Sequence, residues 1–254
     1  MTRKLTAGVL LIGDELLSGR TRDINLQTIA EFLAPLGIQV AEARVVSDDQ
    51  ALIIAAVNAL RTQYTYVFTT GGIGPTHDDI TADAIAAAFG DPIDIRADAR
   101  KILEERYAQT GVELTDARLR MARIPKSASL ISNPVSGAPG FQLGNVFVMA
   151  GVPSIARAML EDVGHRLDTG IVMKSGNVRG KGLREGDLAA KLGEIADAHP
   201  DVSVGSYPWY GSAEDSGVNI VVRGIEREQI LAAMAAVTDM IDDLGVSPEV
   251  TEPV

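Results

Sequence analysis

Residues 69–81, here called the glycine loop, have the residue types and spacing that chemistry on a phosphate compound requires. Gly71, Gly72 and Gly74 follow an apolar run typical of a β-strand, and glycine lets a backbone adopt positive φ and approach a ligand closely. An alanine-rich run typical of a helix comes next, and the free N–H groups at a helix start favour a bound anion. Asp78 and Asp79 lie just before this run. Because two carboxylates would repel a bare phosphate, we expect them to bind a metal ion, move a proton or cap the helix.

Each of these residues has a functional interpretation and a purely structural one. Asp79 is the candidate ligand for Mg²⁺ or a similar hard ion, and its structural alternative is a cap on the helix. Asp78 either supports that site or is a solvated surface charge. The amides of Gly71, Gly72 and Gly74 are expected to face a phosphate, and a tight turn without a ligand is the alternative.

Acidic residues also follow the first predicted strand. Gly13 ends an apolar run at residues 5–12, and Asp14 and Glu15 come directly after it. In parallel sheets ligands bind at the carboxyl ends of strands, so these acids and the glycine loop are expected to converge on one cleft. Asp14 and Glu15 are therefore candidate metal ligands, with a loop amide or a nearby arginine as the alternative partner of Glu15.

The composition excludes several classes of protein. The chain of 254 residues has a formal net charge of −11, which argues against nucleic-acid binding because that depends on Lys and Arg. It has no cysteine, so disulfides, thiolate metal sites, iron–sulfur clusters and cysteine nucleophiles are excluded. Its three histidines lack a His-x-x-His spacing, which argues against a histidine metal site. With no apolar stretch long enough for a membrane and no signal peptide, we expect a cytoplasmic protein without a membrane partner.

Strands alternate with helices over the first two thirds of the chain. Strands are predicted at residues 5–12, 38–46 and 64–68, and helices at 23–33, after Asp48 or Asp49, and at 82–89. A charged helical stretch at 97–123, a turn-rich stretch at 129–139, a hairpin at 141–149 and a helix from Ser154 complete this part. The alternation predicts an α/β fold with a mostly parallel sheet covered on both faces.

A change of pattern near residue 169 predicts a second, smaller domain. Strands are predicted at 172–178, 202–207 and 218–223, and helices at 186–198 and 226–244. The order β-α-β-β-α is that of a small α+β unit. We therefore predict two domains, residues 1–168 and 169–254.

Four segments together resemble a known family. They are residues 12–19 with Asp23 and Asn25, residues 70–81, residues 133–141 and residues 149–154. In order and spacing they are similar to the molybdopterin-binding-like domain at the amino end of competence/damage-inducible protein A (CinA). They also resemble the amino-terminal domain of eukaryotic FAD synthase and, more distantly, MogA, MoaB and the matching domain of MoeA. Residues 182–185 and 205–208 resemble the smaller unit that follows in CinA-type proteins.

The resemblance implies a three-layer α/β/α fold and a pocket for a pterin or nucleotide that carries a phosphate. It implies catalytic roles for Asp79 and Asp48, although Asp48 could equally cap a helix. It implies metal ligation by Asp79, Asp14, Glu15 and Asp78. The implied ligand-binding residues, some of which could instead only set turn geometry, are Gly13, Ser18, Asn25, Thr70, Gly71, Gly72, Gly74, Thr81, Ser136, Gly137, Pro139, Gly140, Gly151 and Pro153.

The relatives implied by this resemblance differ in activity. CinA-type domains are associated with metal-dependent hydrolysis of ADP-ribose, the FAD synthase domain with FAD hydrolysis, and MogA-type proteins with adenylylation of molybdopterin. We expect a metal-dependent nucleotide pyrophosphatase acting on ADP-ribose, FAD or a similar phosphoanhydride with Mg²⁺, Mn²⁺ or Co²⁺. The alternatives are a non-catalytic molybdopterin or nucleotide binding module, and adenylyl transfer to molybdopterin. The resemblance also implies a homo-oligomer.

Three features depart from the CinA pattern. Asp14 stands where many CinA-type sequences have threonine, and Gly186 stands where the related motif usually has serine. The chain ends before any nicotinamide-nucleotide deamidase domain, so that activity is not expected.

Overall fold

The computed structural model describes residues 4–211 and 215–253. The chain divides into two compact units, Met1–Ile171 and Val172–Val254. Each unit has its own apolar core.

The first unit contains eight of the strands and seven of the α-helices of the described residues. Its strands are β1 (Leu5–Ile12), β2 (Ile38–Val46), β3 (Tyr66–Thr70), β4 (Ile93–Ile95), β5 (Arg123–Pro125), β6 (Ser129–Ile131), β7 (Gly140–Leu143) and β8 (Val146–Met149). Its helices are α1 (Asp14–Leu17), α2 (Asn25–Leu33), α3 (Gln50–Gln63), α4 (Thr81–Phe89), α5 (Ala97–Thr110), α6 (Asp116–Leu119) and α7 (Pro153–Val163).

The main sheet of the first unit has the order β2-β1-β3-β8-β7-β6. The first four of these strands run parallel, whereas β7 and β6 are antiparallel to their neighbours. Alternate residues of β1 face opposite sides of the sheet. Leu10 and Ile12 pack in the core with α3 and α4, whereas Val9 and Leu11 pack with α2 and α7. The predicted three-layer α/β/α fold with a mostly parallel sheet is confirmed.

The stretch predicted as helical at residues 97–123 is only partly a helix. Helix α5 ends at Thr110, where Gly111 adopts a left-handed conformation with φ of 69°. After the short α6, Arg123–Pro125 forms β5, which pairs with β4. Strand β6 likewise replaces part of the predicted turn-rich stretch. Three-residue strands carry no measurable periodicity, so the sequence pattern did not reveal them.

Helix α3 begins at a carboxylate cap. The side chain of Asp49 accepts a hydrogen bond from the Leu52 N–H at 3.0 Å. Asp48 therefore does not cap this helix, and its carboxylate has a different partner, described below.

The second unit is a four-stranded antiparallel sheet with two helices. Its strands are β9 (Lys174–Lys181), β10 (Ser203–Tyr210), β11 (Ser216–Gly224) and β12 (Glu249–Thr251), in the order β10-β11-β9-β12. Helices α8 (Glu185–Ala198) and α9 (Arg227–Asp243) pack on one face, against Val178, Ile220 and Val222. Strand β12 was not predicted, because it is short and exposed.

None of the helices in the described ranges is long and apolar enough to cross a membrane.

Asp49→Ala is expected to lower the free energy of unfolding by about 1 kcal/mol, because it removes the side chain that caps α3. Urea denaturation followed by far-ultraviolet circular dichroism measures this change. Asp49→Asn keeps the acceptor oxygen and should cost much less. Equal losses in the two variants would contradict the capping role.

Candidate functional site

The glycine loop passes very close to the end of β1. Gly71 has φ of 105°, and its N–H donates to the carbonyl oxygen of Met149 at 3.2 Å. A Cβ at position 71 would overlap the carbonyl oxygen of Ile12. Only glycine combines this backbone conformation with this contact, so the glycine is explained by the path of the chain.

The loop then folds back onto the start of α4. The Thr81 N–H donates to the Gly72 carbonyl at 3.0 Å, and a Cβ at Gly72 would overlap the Thr81 hydroxyl. A Cβ at Gly74 would lie 2.6 Å from the Asp79 carboxylate. The glycines therefore bring the backbone into contact with β1, Thr81 and Asp79.

Asp79 is held by its own loop. Its Oδ2 accepts from the N–H of Thr76 at 2.8 Å and from the Thr76 hydroxyl at 2.5 Å. Helix α4 has Ile80 as its N-cap and receives no side-chain capping bond. The alternative interpretation of Asp79 as a helix cap therefore does not hold.

A cleft of about 530 Å³ opens beside the glycine loop. Residues from all four sequence segments of interest contribute to its wall, and apolar side chains complete it. The lining residues are Glu15, Thr21, Gly71, Gly72, Ile73, Gly74, Pro75, Asp79, Met121, Asn133, Ser136, Ala138, Ala150, Gly151, Val152, Pro153 and Ile155.

Two buried asparagines fix the loops around the cleft. Asn25 is 5% exposed, and its side-chain N–H donates to the Gly151 carbonyl at 2.8 Å. Asn133 donates to the Ser136 hydroxyl at 2.6 Å and to the Ala138 carbonyl at 2.8 Å. Its oxygen accepts from the backbone amides of residues 135 and 136 at 3.1 Å. The side-chain amides of Asn25 and Asn133 therefore support loops of the cleft wall that lack regular secondary structure.

Acidic side chains gather at the ends of β1 and β2. The Asp48 carboxylate accepts from the Asp14 N–H at 3.0 Å. Burial raises the pKa of Asp48, the bond from Asp14 opposes that rise, and the negative charges of Asp14, Glu15 and Asp78 add to it. Asp48 thus holds the turn from which Glu15 projects, in an environment of like charge.

The carboxylates do not form a ready metal centre. Within residues 4–211 and 215–253, no group of three or more His, Asp or Glu side chains is placed to hold a metal ion. Glu15 and Asp79 are the two carboxylates that line the cleft.

The structure brings together eight of the residues that the sequence proposed for the site. The eight that line the cleft are Glu15, Gly71, Gly72, Gly74, Asp79, Ser136, Gly151 and Pro153. Asn25 and Thr70 line a smaller pocket that also contains Glu15 and Gly151. Pro139 lines a small hollow together with Gly72, Gly74 and Asp79.

The remaining proposed residues do not line the cleft. Thr81 is fully buried beneath Gly72, and Ser18 donates to the Glu15 carbonyl at 3.3 Å. The others outside the cleft wall are Gly13, Asp14, Asp48, Asp78, Gly137 and Gly140.

Sequence reasoning assigned no role to several residues of the cleft. Asn133 begins the segment 133–141, but an asparagine that organises a loop has no distinctive sequence signal. The apolar residues Ile73, Met121, Val152 and Ile155 also line the wall. Ile73, Val152 and Ile155 lie within or next to the four segments, but Met121 lies outside them and has no sequence signal.

Comparisons with known proteins agree with the division into two units. A family model described as "Probable molybdopterin binding domain" matches residues 8–169. A second model, described as "FAD synthase, middle domain", matches residues 182–250. The first match covers the whole cleft.

Individual relatives are similar over most of the chain. A protein of Pyrobaculum calidifontis is 33% identical over 216 residues, which are 80% of this chain and 80% of that protein. A CinA-like protein of Geobacter metallireducens is 34% identical over 212 residues, or 79% of this chain, but the match spans only 51% of that protein.

A solved structure is similar over part of the chain. It is the crystal structure of the protein CinA from Thermoplasma acidophilum, described as having unknown function. The two chains are 36% identical with a TM-score of 0.59, over 63% of this chain and 96% of that chain.

Gly71→Ala is expected to destabilise the first unit by about 3 kcal/mol or more, because the added Cβ meets the Ile12 carbonyl and the backbone is strained. Gly90→Ala is the matched control, since Gly90 has φ of 64° but open space around its Cβ position. It should cost about 1 kcal/mol. Urea denaturation compares the two, and equal losses would contradict the role of the Ile12 contact.

Asp48→Asn is expected to raise stability at neutral pH. Because the folded-state pKa of Asp48 is raised, the folded state binds more protons than the unfolded state just above the ordinary carboxyl pKa, and stability falls as pH rises through that window. Asparagine cannot ionise, yet it still accepts the Asp14 N–H. Urea denaturation at acidic and neutral pH tests this, with Asp49→Asn as control. A less stable Asp48→Asn protein at neutral pH would show that the carboxylate charge is favourable.

Proposed function

Because this chain belongs to the family of probable molybdopterin binding domains, we propose that it is a metal-dependent nucleotide pyrophosphatase. Its substrate class is ADP-ribose, FAD or a similar dinucleotide with a phosphoanhydride. The observation that carries the proposal is that the glycine loop and two carboxylates, Glu15 and Asp79, line the same cleft.

The cleft has the size and lining of a small-molecule site. Its volume of about 530 Å³ falls within the range of about 300–1,000 Å³ typical of such pockets. Ile73, Met121, Val152 and Ile155 offer an apolar surface for a flat ring, and Gly71, Gly72 and Gly74 add a stretch of wall that has no side chains. A dinucleotide needs both kinds of surface.

The donor set fits a hard divalent ion that the substrate helps to bind. Mg²⁺ is usually held by one or two carboxylates together with substrate phosphates, rather than by a complete cage of protein ligands. Glu15 and Asp79 would supply the two carboxylates, and Mn²⁺ or Co²⁺ could replace Mg²⁺. The bound ion would neutralise charge that develops on the phosphoryl oxygens.

The residues of the chain then position the reacting groups. The Gly71 N–H already binds the Met149 carbonyl, so the Gly72 and Gly74 amides are the ones proposed to orient one phosphate. The two bonds from Thr76 fix the carboxylate of Asp79. Asp48 acts through the turn that carries Glu15, because it binds the Asp14 N–H and does not line the cleft. Asp14 and Asp78 contribute negative charge around Asp48.

The proposed reaction is hydrolysis of one P–O–P bridge. The oxygen of a water molecule bonds to one phosphorus as the bridging P–O bond of that phosphorus breaks, and the protons pass to solvent. ADP-ribose would give AMP and ribose 5-phosphate, and FAD would give AMP and FMN.

A second candidate is a non-catalytic module that binds molybdopterin or a nucleotide. The lack of a three-carboxylate cluster among the described residues favours it. A third, adenylyl transfer to molybdopterin, would consume ATP only when that pterin is present. Assembly as a homo-oligomer and a cytoplasmic location remain predictions.

Asp79→Asn is expected to reduce metal-dependent AMP release from ADP-ribose or FAD by about 10²-fold or more, because it removes one of the two cleft carboxylates. The assay follows AMP with Mg²⁺, Mn²⁺ or Co²⁺. Glu105→Gln, which neutralises an exposed acid on α5, is the matched control and should retain full turnover. Full turnover by Asp79→Asn would refute the assignment, and tight ligand binding without AMP would identify a binding module.

A further inference from the structure

One edge of the first unit's main sheet is long and unprotected. Strand β2 stands at the end of the strand order and, among the described strands, pairs only with β1. Proteins usually protect such an edge with a very short strand, a proline or a lysine. Strand β2 has nine residues and contains neither proline nor lysine. By contrast, β6 at the opposite edge has three residues, and the edge strand β10 of the second unit contains Pro208.

The backbone of β2 directs hydrogen-bonding groups outward along this edge. The Val46 carbonyl accepts from the Gly13 N–H at 3.1 Å, so Val46 points its backbone polar groups toward β1. The register with β1 is regular from Glu42 to Val46. Because alternate residues of a strand point these groups to opposite sides, Ala43 and Val45 point theirs away from β1. Both residues are exposed, so a second strand can reach them.

Two opposite charges on β2 determine which pairing of this edge is favourable. The Arg44 Nε donates to Glu42 at 2.6 Å, and both side chains are partly exposed. In an antiparallel pair of two β2 strands centred on Ala43, Glu42 of each copy lies opposite Arg44 of the other. Opposite charges directly across a strand pair are favourable, and like charges are unfavourable. A pair centred on Glu42 or on Arg44 places like charges opposite each other, so the charges select the pair centred on Ala43.

We propose that β2 pairs antiparallel with β2 of a second copy of this chain and joins the two main sheets across a twofold axis. Ala43 of each copy exchanges both of its N–H···O=C bonds with its counterpart, and its short side chain leaves room for the approach. Because the two paired surfaces are identical, the assembly closes as a dimer. No residue of β2 lines the cleft, so this dimer does not depend on the pyrophosphatase activity.

Sedimentation velocity of the full chain over a range of concentrations measures the association directly. The mass of a dimer is expected. A monomer at every concentration up to about 100 µM would overturn the proposal and would leave the β2 edge to an extended segment of another protein. A trimer would also overturn it, since self-pairing of one edge closes at two copies.

Ala43→Pro is expected to raise the dissociation constant of the dimer about tenfold or more, because each copy loses the N–H that it donates to the other. The first unit should still fold, since this N–H points away from β1 and proline is tolerated on the open side of an edge strand. Far-ultraviolet circular dichroism checks the fold. A folded Ala43→Pro protein that dimerises as the native chain does would place the interface elsewhere and refute the β2 pairing.

Glu42→Arg places arginines opposite each other across the twofold axis and is expected to weaken the dimer about tenfold. The double variant Glu42→Arg/Arg44→Glu restores opposite charges and should restore most of the affinity. Both variants lose the hydrogen bond that the Tyr64 hydroxyl donates to Glu42, so the comparison between them isolates the charges.

Glu104→Arg on α5 is the matched control. It makes the same change of charge and breaks a similar exposed ion pair, that of Glu104 with Arg100, so it should dimerise as the native chain does. Equal weakening by Glu42→Arg and Glu104→Arg, or no rescue in the double variant, would contradict the pairing centred on Ala43. This charge series decides the question even if Ala43→Pro fails to fold.

Discussion

The close approach of β3 to the end of β1 is the constraint on which the site depends. The chain leaves β3 at Gly71 against the Ile12 carbonyl, with no room for a side chain between them. The same residue bonds to Met149 at the end of β8. Three parallel strand ends are thereby joined at one point, and the loops that leave them share one cleft. The location of the cleft follows from backbone packing before any functional side chain is considered.

Charge is distributed unevenly around that cleft. The negative charges of Asp14, Glu15 and Asp78 act on Asp48, which is unfavourable without a cation. The negative charge of Asp48 is compensated in part by the Asp14 N–H, and that of Asp79 by the Thr76 N–H. A divalent ion brought by a phosphate ligand would relieve the remaining repulsion. For this reason a metal-dependent site fits these carboxylates better than a site for a bare anion does.

Much of the fold was predictable because buried strands and amphipathic helices leave strong patterns. Strands β1 and β2 have the predicted bounds, and the three-layer arrangement follows from their alternation with helices. The cleft carboxylate Asp79 was predictable because its position beside three glycines is unusual. The sequence did not show which of Asp48 and Asp49 caps α3, since both have the spacing of a helix cap. In the structure Asp49 accepts from the Leu52 N–H, and Asp48 accepts from the Asp14 N–H instead. Asn133 could not be assigned because its partners belong to an irregular loop.

The position of Trp209 has a consequence for spectroscopy. It is the one tryptophan of the chain and belongs to the unit Val172–Val254. Its emission therefore follows the unfolding of that unit, whereas circular dichroism sums over both. Transitions that coincide in the two signals would mean that the units melt as a single cooperative body, and separated midpoints would mean that they melt independently. The emission of Trp209 thus reports whether the two units unfold together or separately.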